Sequence, residues 1–386
     1  MIKINKNIIF LGIVSFLTDL SSEMIFPILP IFLDHFLKAS KFEIGIIEGA
    51  AEFTASFLKV WSGYLSDRIG KKKSVVVAGY TISAFTKPLL YFAGSWKDVL
   101  FLRVLERTGK GIRTSPRDAL ISAYTQKERS GRAFGFHRGM DTLGAVFGAV
   151  LASVFIFSLG ETEETFRFIF LFSFLPAILA VFVLLFFVKE PKVLRKKRLS
   201  KFSLRGFSTE FYKLLILQVI FTVFTMNYAF MILKANSIGI AIGFIPIVYI
   251  LFNVVYAFSS YPVGYFSDRF GKAVSLSITY LIFSITAFLF TVDKPFFGWI
   301  AFVFYGVFMA GNEVISRAII SDVVDEKIKG TAYGIYHTAI GISTFISTAV
   351  AGFLWDRFGE DIPFIIGGIG ALILSVICYT KLKGKI

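Results

Sequence analysis

Charged residues and cysteines are scarce in this chain of 386 residues, and each scarcity excludes a class of protein. Charged residues make up 17% of the sequence, whereas soluble domains have about a quarter. The single cysteine, Cys378, leaves no partner for an internal disulfide. The three histidines lack metal-ligand spacing, and neither a Gly-x-x-x-x-Gly-Lys-Ser/Thr loop nor a Gly-x-Ser-x-Gly motif occurs. These absences argue against an ATP-driven pump and a membrane hydrolase, and we predict no metal, no cofactor and no catalytic residue.

Apolar sequence dominates instead. Hydrophobic residues form 55% of the chain and include 47 phenylalanines. A membrane-spanning helix needs about 20 mainly apolar residues, and in lipid its backbone polar groups must be satisfied internally. Runs of that length follow one another along the sequence, so we predict an all-α membrane protein with twelve transmembrane helices. The expected spans are 8–33, 42–65, 74–93, 97–123, 131–158, 165–188, 210–234, 240–265, 273–292, 296–321, 330–355 and 361–381.

The basic residues lie in alternate loops between these runs, and this pattern sets the expected orientation. The formal charge of +15 is concentrated in segments such as Lys71–Lys73, 127–132 and 189–205, whereas Glu161–Glu164 occupies an opposite loop. An excess of Lys and Arg marks the cytoplasmic side. We therefore predict a multi-pass protein of the cytoplasmic (inner) membrane, with both termini in the cytoplasm and no nucleic-acid partner.

One phrase occurs twice, about half a chain length apart. Gly63–Lys71 reads GYLSDRIGK, and Gly264–Lys272 reads GYFSDRFGK. A second pair follows in the same order, because Gly131–His137 (GRAFGFH) is similar to Gly330–Tyr336 (GTAYGIY). Repeats of this kind indicate a duplicated six-helix unit. We predict an N-terminal bundle at 1–190, a basic cytoplasmic linker at 191–209, either solvated or lying on the anionic inner leaflet, and a C-terminal bundle at 210–386.

The loop phrase Gly63–Lys72, the twelve predicted spans and the basic central linker together resemble the major facilitator superfamily of membrane transporters, over the whole chain. The resemblance implies two pseudo-symmetric six-helix bundles, a small-molecule substrate and a coupling ion, for which we predict a proton. We also predict a monomer. The resemblance further implies a gating role for the loop residues, the alternative being an ordinary turn with topology charges. The gating candidates are Asp67, Arg68 and Lys71, with Asp268 and Arg269 in the second copy.

Many charged residues lie inside the predicted spans of the first half. A charge facing lipid at mid-membrane costs about 2.5–3.5 kcal/mol, so most of these groups must face a wet cavity or one another. Spacings of three and four residues place them on single helix faces, and the resemblance implies that the first and fourth spans line the central path. Acids that gain and lose a basic partner suit proton coupling. The proton-coupling candidates are Asp19, Glu23, Glu48, Glu52 and Asp141.

The basic stripe of the fourth span supports a second interpretation. Arg103, Arg107 and Lys110 share one helix face, where they either bind a carboxylate or phosphate of the substrate or pair internally with nearby acids. The second half is aromatic and amide-rich, which suits an amphipathic solute. The substrate-binding candidates are Arg103, Arg107, Lys110, Asn227, Tyr228, Tyr256, Asn312 and Glu313.

Three functions remain open from the sequence. We predict that the chain is not an enzyme but a secondary active transporter, which exports a small amphipathic organic solute by alternating access as a proton-coupled antiporter. One alternative is transport of an organic anion, such as a carboxylate, phosphate ester or chelator, held by the basic stripe. An alternative of another class is a non-transporting membrane receptor or lipid-handling protein, against which the density of intramembrane charge argues.

Overall fold

The computed structural model describes residues 5–69, 72–125, 130–190, 207–324 and 329–382, which form helices and connecting turns with no strand among them. Contacts between residues divide the chain into two compact units. One consists of residues 1–39 and 50–200, and the other of residues 40–49 and 201–386. The linker predicted at 191–209 falls largely on 191–206, outside the described residues, and the predicted domain boundaries stay a prediction.

The first unit contains the first eight helices, except for the first turns of the third helix, which belong to the second unit. Several begin with a residue that caps the helix, such as Ser95, whose hydroxyl and whose partner Asp98 satisfy each other's backbone N–H groups. The helices are α1 (Lys6–Glu23), α2 (Leu29–His35), α3 (Lys41–Ile69), α4 (Lys72–Leu89), α5 (Trp96–Ala123), α6 (Ser130–Leu159), α7 (Glu163–Phe172) and α8 (Phe174–Phe187).

The second unit holds the remaining helices of the described chain. The first turn of α3 also belongs here, because the backbone N–H groups of Lys41 and Phe42 donate to the carboxylate of Asp356 at 3.0 and 2.8 Å. A carboxylate at this place complements the positive end of the helix dipole. The helices are α9 (Thr209–Phe224), α10 (Tyr228–Ser237), α11 (Ile245–Phe270), α12 (Lys272–Phe290), α13 (Pro295–Val323), α14 (Lys329–Phe358) and α15 (Ile362–Leu382).

Three of the predicted spans consist of two helices each rather than one. The span predicted at 8–33 is interrupted between α1 and α2, where Pro27 supplies no backbone N–H donor. The span at 165–188 is interrupted at Ser173, and the span at 210–234 between α9 and α10. Freed backbone groups find other partners, since the Ser21 hydroxyl donates to the Ser173 carbonyl at 2.6 Å and the Ser347 hydroxyl donates to the Thr225 carbonyl.

Nine stretches of the described residues are long and apolar enough to cross a membrane. They are 72–92, 133–159, 163–187, 209–237, 242–270, 272–290, 295–323, 332–358 and 362–380. The spans predicted at 8–33, 42–65 and 97–123 are not among them, and each of these carries two or more charged residues. The count of twelve spans therefore stays a prediction.

The core of the first unit lies between α1, α4, α5, α6 and α8. Its side chains are mostly aliphatic and small, which lets these helices approach closely. Large apolar side chains such as Phe157 and Phe186 lie exposed on the outside, as expected of a surface that faces lipid. The core side chains include Ile8, Leu11, Val14, Val76, Tyr80, Ala84, Leu120, Ile121, Ala133, Ala177, Ala180, Val181 and Leu184.

Candidate functional site

Two arginines on α5 meet one glutamate in the interior of the first unit. Arg103, Glu106 and Arg107 lie on successive turns, so their side chains share a helix face. The Arg103 Nη1 atom lies 3.3 Å from Glu106 Oε2, and the Arg107 Nε atom lies 3.6 Å from the same oxygen. All three side chains are almost fully buried. The basic stripe predicted on this helix is thus paired, at least in part, with an acid of its own helix.

The ring of Phe26 lies against the same stripe. Phe26 belongs to the turn between α1 and α2, where the interruption of the helix turns its side chain toward α5. The guanidinium carbons of Arg103 and Arg107 each lie 4.6 Å from the ring centroid, and Lys110 Nζ lies 6.0 Å from it. A cation over an aromatic face is stabilised by about 0.5–2 kcal/mol. The break in the first span therefore helps to place three predicted site residues together.

Lys87 on α4 adds a third buried cation beside this cluster, to which sequence reasoning assigned no role. Its ammonium donates to the hydroxyl oxygens of Ser21 at 2.7 Å and Ser22 at 3.0 Å. A cavity of about 10 Å³, about the minimum that holds one water, lies next to it. The cavity is lined by Ile25, Phe26, Thr86, Lys87, Leu90, Leu102, Arg103 and Glu106.

Two predicted coupling acids meet where α1 packs against α6. The Ser15 hydroxyl of α1 donates a hydrogen bond to Asp141 Oδ1 of α6. His137, one helical turn before Asp141, places its Nδ1 atom 3.6 Å from the same oxygen. Asp19, one turn along α1 from Ser15, interacts electrostatically with Asp141. The structure thus brings the half-buried Asp19 and the buried Asp141 into one group and adds His137 and Ser15, which sequence reasoning did not assign.

Gly144 and Gly148 make this packing possible. A Cβ atom on Gly144 would lie 2.3 Å from the Phe16 carbonyl oxygen, and one on Gly148 would lie 2.3 Å from the Leu20 carbonyl oxygen. Any larger residue would push α6 away from the backbone of α1. The spacing of the two glycines, already visible in the sequence, therefore fixes Asp141 against Ser15.

The other predicted coupling acids have different neighbours. Glu52 on α3 interacts electrostatically with Arg107 most strongly, and then with Lys59, Lys110 and Arg103. Glu23, at the end of α1, interacts electrostatically with Lys87. Glu48 is buried on the first turns of α3, which belong to the second unit. The structure therefore does not gather the five acids into one cluster, and Glu52 faces the basic stripe.

Within the second unit, a polar group joins α11 and α13. The Tyr256 hydroxyl donates to Glu313 Oε2, and Arg317 forms an ion pair with Glu313 Oε1. Asn312, next to Glu313, is half-buried. Asn227 has a structural task, because its side-chain oxygen accepts the Ala229 backbone N–H at 3.0 Å and so caps α10. A role of these residues in substrate binding stays a prediction.

Aromatic rings form a continuous series in the second unit. The ring of Tyr228 on α10 lies 5.7 Å from that of Tyr249 on α11. Tyr249 is 5.2 Å from Phe252, and Phe252 is 5.3 Å from Tyr305 on α13. Tilted ring pairs at such distances are stabilising beyond the area that they bury. Tyr249, Phe252 and Tyr305 are buried, so the series is part of the interior of the second unit and carries tyrosine hydroxyls among apolar rings.

The gating candidates are only partly described. Asp67 and Arg68 lie in α3, their side chains are outside the described part of the chain, and Lys71 lies outside it altogether. In the second copy, Arg269 is exposed at the end of α11, next to Asp268. Gly271 follows with a φ of 92°, which favours glycine, and permits the immediate start of α12. Lys272 forms an ion pair with Asp322, at the C-terminal end of α13, and interacts electrostatically with Asp268.

A second buried lysine, Lys234, lies at the end of α10. Its Nζ atom is 3.3 Å from Asp293, 2.6 Å from Glu360 and 2.8 Å from Asp361. The three carboxylates are close enough together to hold a metal ion, but the ammonium lies among them and takes that place. The sequence showed Lys234 as a charge within a span and gave no sign of its partners, which come from two distant loops.

Comparisons with known proteins identify the family. The model of the Major Facilitator Superfamily matches residues 11–233 and 214–385. An uncharacterized MFS-type transporter of Methanocaldococcus jannaschii is 34% identical, over 97% of this chain and 94% of its own length. The quinolone resistance protein NorA of Staphylococcus aureus is 23% identical over 98% of this chain and 97% of its own length.

Solved structures share the fold. The nucleoside transporter NupG superposes with a TM-score of 0.76 at 16% identity, covering 98% of this chain and 100% of its own. The apolar helices, the repeated loop phrase and the match of the family model over nearly the whole sequence agree. The chain therefore belongs to the major facilitator superfamily, and is a multi-pass membrane transporter of small molecules rather than an enzyme.

Proposed function

We propose that this transporter exports a small amphipathic organic compound in exchange for protons, by alternating access across the cytoplasmic membrane with both termini inside. The observation that carries the proposal is the pair of acids formed by the half-buried Asp19 and the buried Asp141, where α1 meets α6. Two carboxylates that share a buried place repel each other, so binding a proton relieves the repulsion. Such a group binds or releases a proton when its surroundings change.

The basic neighbours of this pair supply the change that coupling needs. Asp19 interacts with Lys110, Arg113 and Arg117 of α5, all of them cations. If α5 shifts relative to α1 between two states, the carboxylate gains or loses these partners and its affinity for a proton changes with them. Glu52 of α3 interacts electrostatically with Arg107 of α5 in the same way, so a shift between these two helices would also change its affinity for a proton.

The nature of the solute follows from the two units considered separately. The second unit offers the aromatic series from Tyr228 to Tyr305, and the first offers buried charge. A solute with a ring system and one polar or charged end matches both. The relation to a quinolone resistance protein supports export of such a compound.

A second candidate, transport of an organic anion, is favoured by one observation. The buried ammonium of Lys87 donates hydrogen bonds to the hydroxyls of Ser21 and Ser22, beside a cavity that Arg103 also lines. A terminal carboxylate or phosphate of a solute is the natural partner for such a cation. The pairing of Arg103 and Arg107 with Glu106 argues for the first candidate instead.

Flux in proteoliposomes with an acidic lumen and an internal pH dye tests the proposal. Addition of ethidium, an aromatic organic cation, should make the lumen more alkaline. Asp19→Asn should reduce the signal to that of protein-free liposomes, because the coupling acid is gone, whereas Glu161→Gln, at an exposed position before α7, should leave it unchanged.

Two outcomes contradict the proposal in different ways. Full proton flux in Asp19→Asn removes Asp19 from the coupling site. A response to the dianion phthalate alone, lost in Lys87→Gln, replaces the first candidate by the second.

A further inference from the structure

We infer that His137 and Asp141 form one proton-binding pair on α6, in which the imidazole of His137 takes up the coupling proton. The inference rests on the proposed proton coupling and adds to it the group that accepts the proton. The two residues are one helical turn apart, both are buried, and the His137 Nδ1 atom lies 3.6 Å from Asp141 Oδ1. Imidazole is the side chain whose charge ordinarily changes between pH 5 and 8.

The second ring nitrogen of His137 indicates where the proton binds. His137 is 4% exposed, and within the described part of the chain its Nε2 atom has no hydrogen-bond partner. A buried polar atom without a partner lowers the stability of the fold, so it requires an explanation. A neutral imidazole that directs Nδ1–H at Asp141 leaves Nε2 as an open base, and this is the atom that receives a proton.

The proton balance of the pair is simple. A proton added to Nε2 converts the neutral imidazole into an imidazolium, whose positive charge is compensated by the Asp141 carboxylate. Its release restores the neutral ring, and no other bond forms or breaks. Burial and the Arg117 guanidinium oppose the cation and the Asp141 carboxylate favours it, so a change in these surroundings changes the affinity of the ring for the proton.

Charged groups on the neighbouring helices affect that affinity. Asp118 of α5 favours the imidazolium, Arg117 of α5 and Arg138 of α6 itself oppose it, and Asp19 of α1 acts on the Asp141 carboxylate. α7 packs near the far end of α6, where Phe168 contacts Phe155, away from the pair. A movement of α5 would change this balance, because Arg117 has the largest effect on the ring among the charged groups.

The packing of α6 on α1 connects the pair to Asp19. Gly144 and Gly148 hold the helices at backbone contact, and the Ser15 hydroxyl fixes the Asp141 carboxylate in place. Asp141 and Asp19 then cannot move apart, and a proton on His137 compensates one of the two negative charges. The charge state of Asp19 thus depends on a proton bound to His137, one helical turn before Asp141.

Nitrogen-15 NMR of the full chain in lipid nanodiscs tests the pair without any substrate. The chain has three histidines, so the double variant His35→Gln/His337→Gln retains the His137 signal alone. In this background the imidazole should titrate in one step. Asp141→Asn should lower the midpoint by about one pH unit or more, because an opposite charge within about 4–6 Å is lost. Asp118→Asn, which removes a more distant and half-exposed carboxylate, should lower it less.

Ser15→Ala provides an independent variant. It removes the hydroxyl that Asp141 binds, leaves a more strongly basic carboxylate and should raise the midpoint. Equal midpoints in the parent, Asp141→Asn and Ser15→Ala would overturn the pair, as would an imidazole that does not titrate in any of them.

The flux assay separates this inference from the proposed function. Ethidium-driven proton flux that disappears in Asp19→Asn but persists in His137→Gln, with unchanged NMR midpoints, overturns the pair and leaves the proposed function standing. A shifted midpoint in a protein without any ethidium- or phthalate-driven flux supports the pair and overturns the proposed function. His35→Gln, at a partly exposed ring of α2, serves as the matched control for loss of a histidine.

Discussion

Some charged side chains of this protein are buried, and groups in direct contact with them must stabilise the charge. Lys234 is fully buried, yet its three carboxylate partners remain between about a third and three quarters exposed. Water therefore hydrates the acids while the ammonium depends on them. The ammonium in turn holds the loop before α13 and the loop before α15 against the end of α10.

Replacing this lysine should destabilise the second unit. Lys234→Met keeps the length of the side chain but removes the ammonium and leaves the three carboxylates to repel one another. The loss of hydrogen bonds to charged groups should cost about 1.5–3 kcal/mol and lower the melting temperature in detergent. Lys294→Met, at an exposed position next to Asp293, is the control and should melt like the parent chain. Equal melting of both variants would show that the ion pairs contribute nothing.

Sequence reasoning reached the ionisable residues but not their partners. Asp19, Asp141 and Arg103 stand out because a charge within an apolar run is conspicuous in any sequence. The contact of Arg103 with Glu106 lies within one helix, but Glu106 was not among the predicted site residues. The meeting of Asp141 with Ser15 was not predictable from spacing, because it depends on how α1 and α6 pack. His137 was passed over, since one histidine among apolar residues has no pattern of its own.

At the scale of helices, one contact between backbones decides the geometry of the candidate proton site. Gly144 touches the backbone of Phe16 on α1, whereas at Gly139, on the same helix, no neighbouring atom of the described residues lies within 4 Å of the place where a Cβ would stand. The same substitution at these two positions therefore has opposite consequences.

Gly144→Ala should separate α6 from α1, lower the melting temperature and weaken proton flux, because a Cβ at 2.3 Å from a carbonyl oxygen cannot be accommodated without a shift. Gly139→Ala should be neutral or stabilise by up to about 1 kcal/mol through helix propensity. Thermal melts and ethidium-driven flux of the two variants measure both effects. Normal flux and melting in Gly144→Ala would mean that the close packing of α1 and α6 is not required.

Helices were predictable from the apolar runs, and their interruptions were not. An apolar run such as 210–234 looks continuous in the sequence, yet the chain leaves the helix between Phe224 and Tyr228. The break depends on distant partners, because Ser347 of α14 binds the freed Thr225 carbonyl. Pro27 did lie in the predicted first span, but proline alone does not distinguish a kink from a complete break.

For the whole molecule, the two copies of the loop phrase predicted the family, and the match over nearly the full chain confirms it. The copies have diverged in chemistry. The first unit retains buried acids and bases on α4, α5 and α6 and half-buried acids on α1, whereas the second unit contains the series of aromatic rings and the buried Lys234. In our account the first unit binds and releases the proton, and the aromatic series of the second unit contributes to binding the solute.

The central claim, that a proton gradient drives export, is tested most directly by accumulation of a solute against its own gradient. Radiolabelled ethidium is offered at equal concentration on both sides of proteoliposomes with an acidic lumen, and valinomycin with equal potassium holds the membrane potential at zero. The account predicts that ethidium accumulates inside while the pH difference lasts and that nigericin, which dissipates the difference, abolishes accumulation. Accumulation that is insensitive to nigericin, or equilibration without any accumulation, would contradict proton-coupled export.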